Sequence, residues 1–156
     1  MPSLSLSNTV SKAYNRVTTI CIDTDFSSAP HTRAGNFTGV NTSACELDDD
    51  GSYYWLKVTA SATGGYATRS FTTTIGTTYN YAANFMSPSF SGTLKIGTAA
   101  DDGTHVNLSV SGGGMPGYGT RLGSFTATTT TTHISFVVSA SGKTQKWGSL
   151  IISEDN

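Results

Sequence analysis

The chain has 156 residues, enough for one domain with its own core and too few for two large ones. Lys plus Arg number 9 and Asp plus Glu 10, so the net charge of -1 leaves no basic excess for a phosphate backbone and argues against nucleic-acid binding. Charged residues make up only 12%, half the usual ~25%, which excludes a charged coiled coil or an acidic disordered tail; 47 Ser and Thr with 17 Gly favour strands and turns.

At the start of the chain, Met1-Pro2-Ser3-Leu4-Ser5-Leu6-Ser7 alternates apolar residues with Ser. It lacks the basic start and continuous apolar run of a secretory signal, and no stretch approaches the ~20 apolar residues of a membrane-spanning helix. The expectation is a product used as translated, with no membrane partner. Residues 1–44 are sparse in apolar side chains and rich in Ser, Thr and Asn. They are expected to form an extended arm with one or two edge strands, 17–22 the clearest, packed on the main body or on a neighbouring subunit. Cys21 and Cys45 match no zinc-ligand spacing. Two small thiols in a reducing compartment are preferred over a disulfide closing a loop of about 25 residues.

From residue 53 onward the apolar residues alternate with polar ones, the period of a strand with one buried face. Residues 53–61 put Tyr54, Leu56, Val58 and Ala60 on one face, with Tyr53, Trp55, Lys57 and Thr59 on the other. Further strands are predicted at 66–74, 79–85, 93–98, 105–111, 121–127, 132–140 and 146–153. Between them lie turns at Gly64-Gly65, Ile75-Gly76, Asp101-Asp102-Gly103 and Ser141-Gly142. Eight or nine strands with turns every 8–14 residues indicate an antiparallel sandwich or barrel. Thr128–Thr132, five threonines in a row, reads as the lead into a strand rather than as a mucin-like tract.

Few residues offer chemistry. Gly112-Gly113-Gly114-Met115-Pro116-Gly117 formally matches G-x-G-x-x-G, but a dinucleotide site needs a helix after it, and here a strand follows. His31, His105 and His133 have no acid within two residues, and no G-x-S-x-G elbow occurs. Asp48-Asp49-Asp50-Gly51 and Asp101-Asp102-Gly103 read as turns; neither has EF-hand spacing, so no metal and no cofactor are expected. Paired carboxylates for sugar hydrolysis are conceivable from Glu46, Asp101 and Asp102. The aromatics Tyr53, Trp55, Tyr66, Tyr118 and Trp147 lie outside the core-facing sets or at their ends. An exposed flat ring is a platform for the C–H face of a sugar or a subunit contact; the plain alternative is that Trp55 and Trp147 close the edges of the core.

Several stretches carry a resemblance. They are Gly51-Ser52-Tyr53-Tyr54-Trp55-Leu56-Lys57-Val58-Thr59, Gly65-Tyr66-Ala67-Thr68-Arg69-Ser70-Phe71, Ile75-Gly76-Thr77-Thr78-Tyr79-Asn80-Tyr81, Leu94-Lys95-Ile96-Gly97, Gly123-Ser124-Phe125 and Trp147-Gly148-Ser149-Leu150-Ile151-Ile152. From about 44 to 154 the chain resembles the carbohydrate-binding-module-like jelly rolls found in bacterial glycosidases and in bacteriophage virion proteins such as tail fibres and capsid decorations. The resemblance implies an all-β antiparallel sandwich, a jelly roll over 45–156; the N-terminal arm and edge strands read from the composition of 1–44 would precede it.

The leading expectation is a non-enzymatic bacteriophage virion structural protein, a capsid decoration (cement) or short fibre protein. Its partners would be the major capsid or other virion proteins and further copies of itself, as in a trimer, at the virion surface. The alternative is a stand-alone module that binds host or environmental polysaccharide. Trp55, Tyr66, Tyr118 and Trp147 would then stack on sugar rings, with Asp101 and Arg121 hydrogen-bonding hydroxyls. An enzyme is the third reading, and it requires a cleft lined by two carboxylates or a His–acid pair.

Overall fold

Period-two alternation runs through nearly every segment of the computed structural model, which describes residues 20–24, 37–49, 54–87, 92–110 and 117–155. These residues form eleven strands and, among them, no helix: β1 (Ile20–Thr24), β2 (Thr38–Val40), β3 (Thr42–Asp49), β4 (Tyr54–Ala60), β5 (Gly65–Thr72), β6 (Thr78–Ser87), β7 (Gly92–Gly97), β8 (Val106–Val110), β9 (Gly117–Thr126), β10 (Thr131–Val138) and β11 (Thr144–Glu154). The first sheet has the order β3-β4-β11-β6-β9, the second β2-β5-β10-β7-β8, and every pairing is antiparallel. Most connections cross from one sheet to the other, which gives a sandwich, one of the two architectures the strand spacing predicts, in the jelly-roll form the resemblance implies.

Positive-φ glycines make three of the tight turns. Gly64, Gly76 and Gly142 have φ of 74°, 83° and 72°, a region that costs glycine nothing. In the strands, the inward set is the one the alternation selects: Leu56, Val58 and Ala60 on β4; Tyr79, Tyr81, Ala83 and Phe85 on β6; Leu94 and Ile96 on β7; Ile134, Phe136 and Val138 on β10.

β11 is the central strand of the first sheet, and it breaks the alternation. Trp147 pairs with Phe85 and Leu150 with Ala83, so β11 advances three residues while β6 advances two. The extra residue is a bulge at Gly148-Ser149, and it lets Trp147 and Leu150 both point inward. Trp147 is fully buried. Its ring stacks on Phe136 of the opposite sheet at 4.2 Å between centroids, and Phe136 stacks on Phe37 at 5.1 Å. Phe85 flanks the indole at 6.1 Å. Among the described residues the indole Nε1 has no hydrogen-bond partner, so packing holds it.

The edge strand β9 places small residues where β6 places large ones. A side chain at Gly119 would collide with the Phe85 ring, and a Cβ at Gly123 would lie 2.6 Å from the Tyr81 hydroxyl. These glycines let the inward rings of β6 reach the sandwich edge.

Two sequence expectations change. Asp48 and Asp49 are not in a turn: they end β3, where Asp48 pairs in register with Trp55. A boundary between 44 and 45 passes through β3, and Phe37, from the segment expected as an arm, is part of the core. Within that segment, β1 pairs with the 150–153 stretch of β11, and β2 borders β5. Residues 1–19 and 25–36, the glycine-rich loop at 111–116 and Tyr53 lie outside the described residues. Cys45 carries a free thiol; burial, then the neighbouring Glu46 carboxylate, pushes its pKa up.

Replacing Trp147 with Ala should lower stability by about 3–5 kcal/mol, read as a lower urea midpoint. Trp147→Phe keeps a ring against Phe136 and removes the unpaired N–H, so its midpoint should fall less than that of the alanine variant.

Candidate functional site

Because β6 turns Tyr79, Tyr81, Ala83 and Phe85 inward, it turns Thr78, Asn80, Ala82, Asn84 and Met86 outward. The register continues these positions across the first sheet as rows. Ile151 of β11, Ala82 of β6 and Leu122 of β9 form one row. On one side lies Ser153–Asn80–Ser124, and on the other Ser149–Asn84–Thr120. An apolar strip thus runs between two polar ones. Leu122 is 71% exposed and Ile151 40%, the two large apolar side chains that this face leaves open among the described residues. Three strands at a spacing of ~4.8 Å give the strip a length of roughly 10 Å. A shallow depression of about 460 Å³ lies over it and over the row of Ser153, Asn80 and Ser124.

Asn84 is held from both sides. Its Nδ2 donates to Ser149 Oγ at 2.7 Å, and its Oδ1 accepts from Thr120 Oγ1 at 2.7 Å. The side-chain amide is therefore fixed across three strands, with a second N–H and a lone pair left to engage a ligand. Ser149 occupies its place because of the bulge. Beyond this row, Lys57 pairs with Glu46 at 3.1 Å and Asp48 at 3.8 Å, while Lys146 pairs with Asp48. The cations of this face are met by carboxylates of β3.

Of the six residues expected at a ligand site, the five with described side chains do not converge. Trp147 is in the core and presents no ring face to a ligand, because the bulge turns it inward; this corrects its expected role as a sugar platform. Trp55 is on the outer face of the first sheet but only 6% exposed, since its ring lies against Gly148, where a Cβ would stand 3.2 Å from Trp55 Cζ3. Arg121 turns to the inner side of β9, its guanidinium 5.1 Å from the Phe85 ring centroid. There its charge lowers the Tyr81 pKa, against the larger upward push of burial. Tyr66 is half-buried on the outer face of the second sheet, in register with Val40 and Val137. Asp101 belongs to the β7–β8 loop on that same face, and the Tyr118 side chain lies outside the described residues.

That loop closes much of the second sheet's outer face. The Asp101 N–H donates to Ser135 Oγ at 2.9 Å, and its carboxylate pairs with Lys95 at 2.8 Å. Ser135 is buried as a result. Asp102 accepts from Thr98 N–H, Thr98 Oγ1 and Thr104 N–H at 2.8–3.0 Å, and from Thr104 Oγ1. A side chain at Gly97 would strike Asp102, so the glycine admits the loop. The hydroxyl of Thr104 and the amide of Thr98 lead in holding the Asp102 carboxyl well below the usual carboxylate range. His105, also in the loop, stacks on Phe125 at 5.6 Å. Among the described residues no three His, Cys, Asp or Glu side chains form a metal-binding group.

Sequence reasoning located the aromatics but missed the strip. Its signal was present in the outward positions of 78–86, where Asn80 and Asn84 bracket Ala82.

No protein-family model matches this chain, and no curated protein matches it. Solved structures match its shape. It is similar to the CBM22-1 xylan-binding domain of Xyn10C from Paenibacillus barcinonensis, with a TM-score of 0.63 and 11% identity over 88% of this chain and 95% of that one. It is similar to BiXyn10A CBM1, at 0.59 and 15% over 88% and 99%. It is also similar to TmCBM61, solved with β-1,4-galactotriose, at 0.54 and 9% over 79% and 91%. The fold is that of a carbohydrate-binding-module β-sandwich. Neither the geometry nor these comparisons bear on the virion setting or capsid partners expected from the sequence.

The Asp102 contacts give a pH prediction. A carboxyl whose folded pKa is depressed stabilises the fold above its unfolded pKa of ~3.9, and that contribution is lost as pH falls toward the folded value. Stability should therefore decline as pH drops below about 4, and Asp102→Asn should flatten that decline when urea midpoints are followed with pH.

Proposed function

We propose that this chain is a non-catalytic module that binds neutral polysaccharide on the outer face of the first sheet. The observation that carries the reading is the strip of Ile151, Ala82 and Leu122 between two rows of amides and hydroxyls. A pyranose ring has an apolar C–H face and a polar rim. The strip suits the first, and Asn80, Asn84, Ser124 and Ser153 suit the second. Asn84, already fixed by Ser149 and Thr120, would lose little side-chain entropy on binding. Neutral sugar is favoured over sugar acids because Lys57 and Lys146 are engaged by Glu46 and Asp48, and Arg121 faces the inner side. The solved structures of like shape, a xylan-binding domain and a module holding galactotriose, support the same reading.

The test is a panel of soluble and insoluble polysaccharides, followed by calorimetry on any that binds. Leu122→Asp should weaken binding at least about tenfold. Its urea midpoint should stay within the small range of surface changes, because the side chain is mostly in water. Asn84→Ala should also weaken binding. No binding at millimolar sugar, or binding indifferent to both substitutions, would sink the reading.

A further inference from the structure

Asp102-Gly103, in the loop between β7 and β8, is the Asp-Gly pair among the described residues. Such a pair is chemically reactive. The glycine nitrogen has no Cβ beside it to hinder approach, and it can attack the side-chain carboxyl of the preceding aspartate. The N–Cγ bond forms, the glycine N–H loses its proton, and a carboxyl oxygen leaves as water. Water then opens the resulting succinimide at either carbonyl. One opening restores aspartate. The other leaves isoaspartate, in which the main chain runs through the former side chain. No oxidant, reductant or enzyme is required. Asp102 and Gly103 are half-buried and Thr104 is exposed, so water reaches the pair.

The loop holds the attacked group away from the attacker. Asp102 Oδ2 accepts from the Thr98 N–H at 2.8 Å and from Thr98 Oγ1 at 3.0 Å. Asp102 Oδ1 accepts from the Thr104 N–H at 2.9 Å and from Thr104 Oγ1. One oxygen is thus tied to the residue that follows β7, the other to the residue that follows Gly103. The second tie turns the carboxylate toward the N–H of residue 104, one position beyond the nitrogen that must attack. Attack on Cγ therefore requires the carboxylate to leave both threonines. The backbone has little room to move in its place. A Cβ at Gly103 would stand 2.9 Å from Asn107 Cβ and 3.2 Å from the Val106 carbonyl oxygen, and Gly97 lies close against Asp102. The same bonds keep the carboxyl in its charged form, which must take up a proton before an oxygen can leave as water.

We propose that Asp102-Gly103 is a latent site of spontaneous isomerisation, latched by Thr98 and Thr104, that converts only when the β7–β8 loop opens. Conversion would also prevent the loop from closing as before. Isoaspartate adds one atom to the main chain and leaves its carboxylate attached at Cα, so the carboxylate no longer spans Thr98 and Thr104. The loop it would distort is the one that Asp101 ties to Ser135 and Lys95 on the second sheet. The inference does not rest on sugar binding by the first sheet.

The experiment incubates the full chain near neutral pH, folded and in denaturing urea, and follows isoaspartate at position 102 by peptide mapping. Conversion in the folded chain should be at least about tenfold slower than in urea. The Thr98→Ala/Thr104→Ala double variant loses the two hydroxyl bonds and keeps the two amide bonds. Its folded-state conversion should be at least about fivefold faster than that of the unsubstituted chain. A second arm needs no variant: across mild urea, amide exchange at Thr98 and Thr104 should rise in step with conversion. Equal conversion in the folded and unfolded chains would overturn the proposal, as would a folded double variant that converts no faster. If the double variant does not fold, the two amides decide: conversion that fails to follow their exchange would overturn loop opening as its cause.

Discussion

The stack of Trp147 on Phe136 is the contact on which the rest of the sandwich depends. It joins the central strand of one sheet to the central strand of the other, and Phe37 and Phe85 extend it to either side. The ring reaches that place only because β11 carries one residue more than its partner. Without the Gly148-Ser149 bulge, strict alternation would put Leu150 on the opposite face from Trp147. The same extra residue shapes the outer face. Gly148 leaves room for the Trp55 ring, and Ser149 supplies the hydroxyl that fixes Asn84. Core and candidate site are two sides of one irregularity.

The two outer faces then follow different courses. On the second sheet, the β7–β8 loop folds over the strands, tied by Asp101 to Ser135 and Lys95 and stiffened by four bonds to the Asp102 carboxylate. On the first sheet no loop among the described residues covers the strands in this way. The ion pairs of Lys57 and Lys146 with β3 lie beyond the Asn84 row and add little to stability, as partly exposed pairs do. Their effect here is on charge: they leave the strip between polar, uncharged rows.

Much of this was legible in the sequence, for definite reasons. Strands β4 to β10 showed their alternation because one face of each meets the core and the other carries mostly polar side chains, and the turns at Gly64, Gly76 and Gly142 use residues that positive φ favours. β3 was hidden. Its Thr-Ser-Ala-Cys-Glu-Leu-Asp-Asp has only Cys45 and Leu47 as partly buried core contacts, and its acids imitate a turn. β2, at three residues, is too short to show a period. The site failed for a different reason. Tryptophan and tyrosine drew attention because large rings suit ligands, but a bulge decides where Trp147 points and a neighbouring glycine decides how far Trp55 is covered. Neither is visible to a period-two reading, whereas the strip is made of Ile, Ala and Leu, which by themselves announce nothing.

The division between β6's inward rings and its outward small residues also separates two kinds of evolutionary freedom. Tyr79, Tyr81, Ala83 and Phe85 are constrained by the interior and by the glycines of β9 that face them. Asn80, Ala82 and Asn84, on the same strand, touch only surface neighbours. Side chains can therefore be exchanged on this face one at a time while the scaffold beneath keeps its architecture, much as a printing plate is recut on an unchanged press.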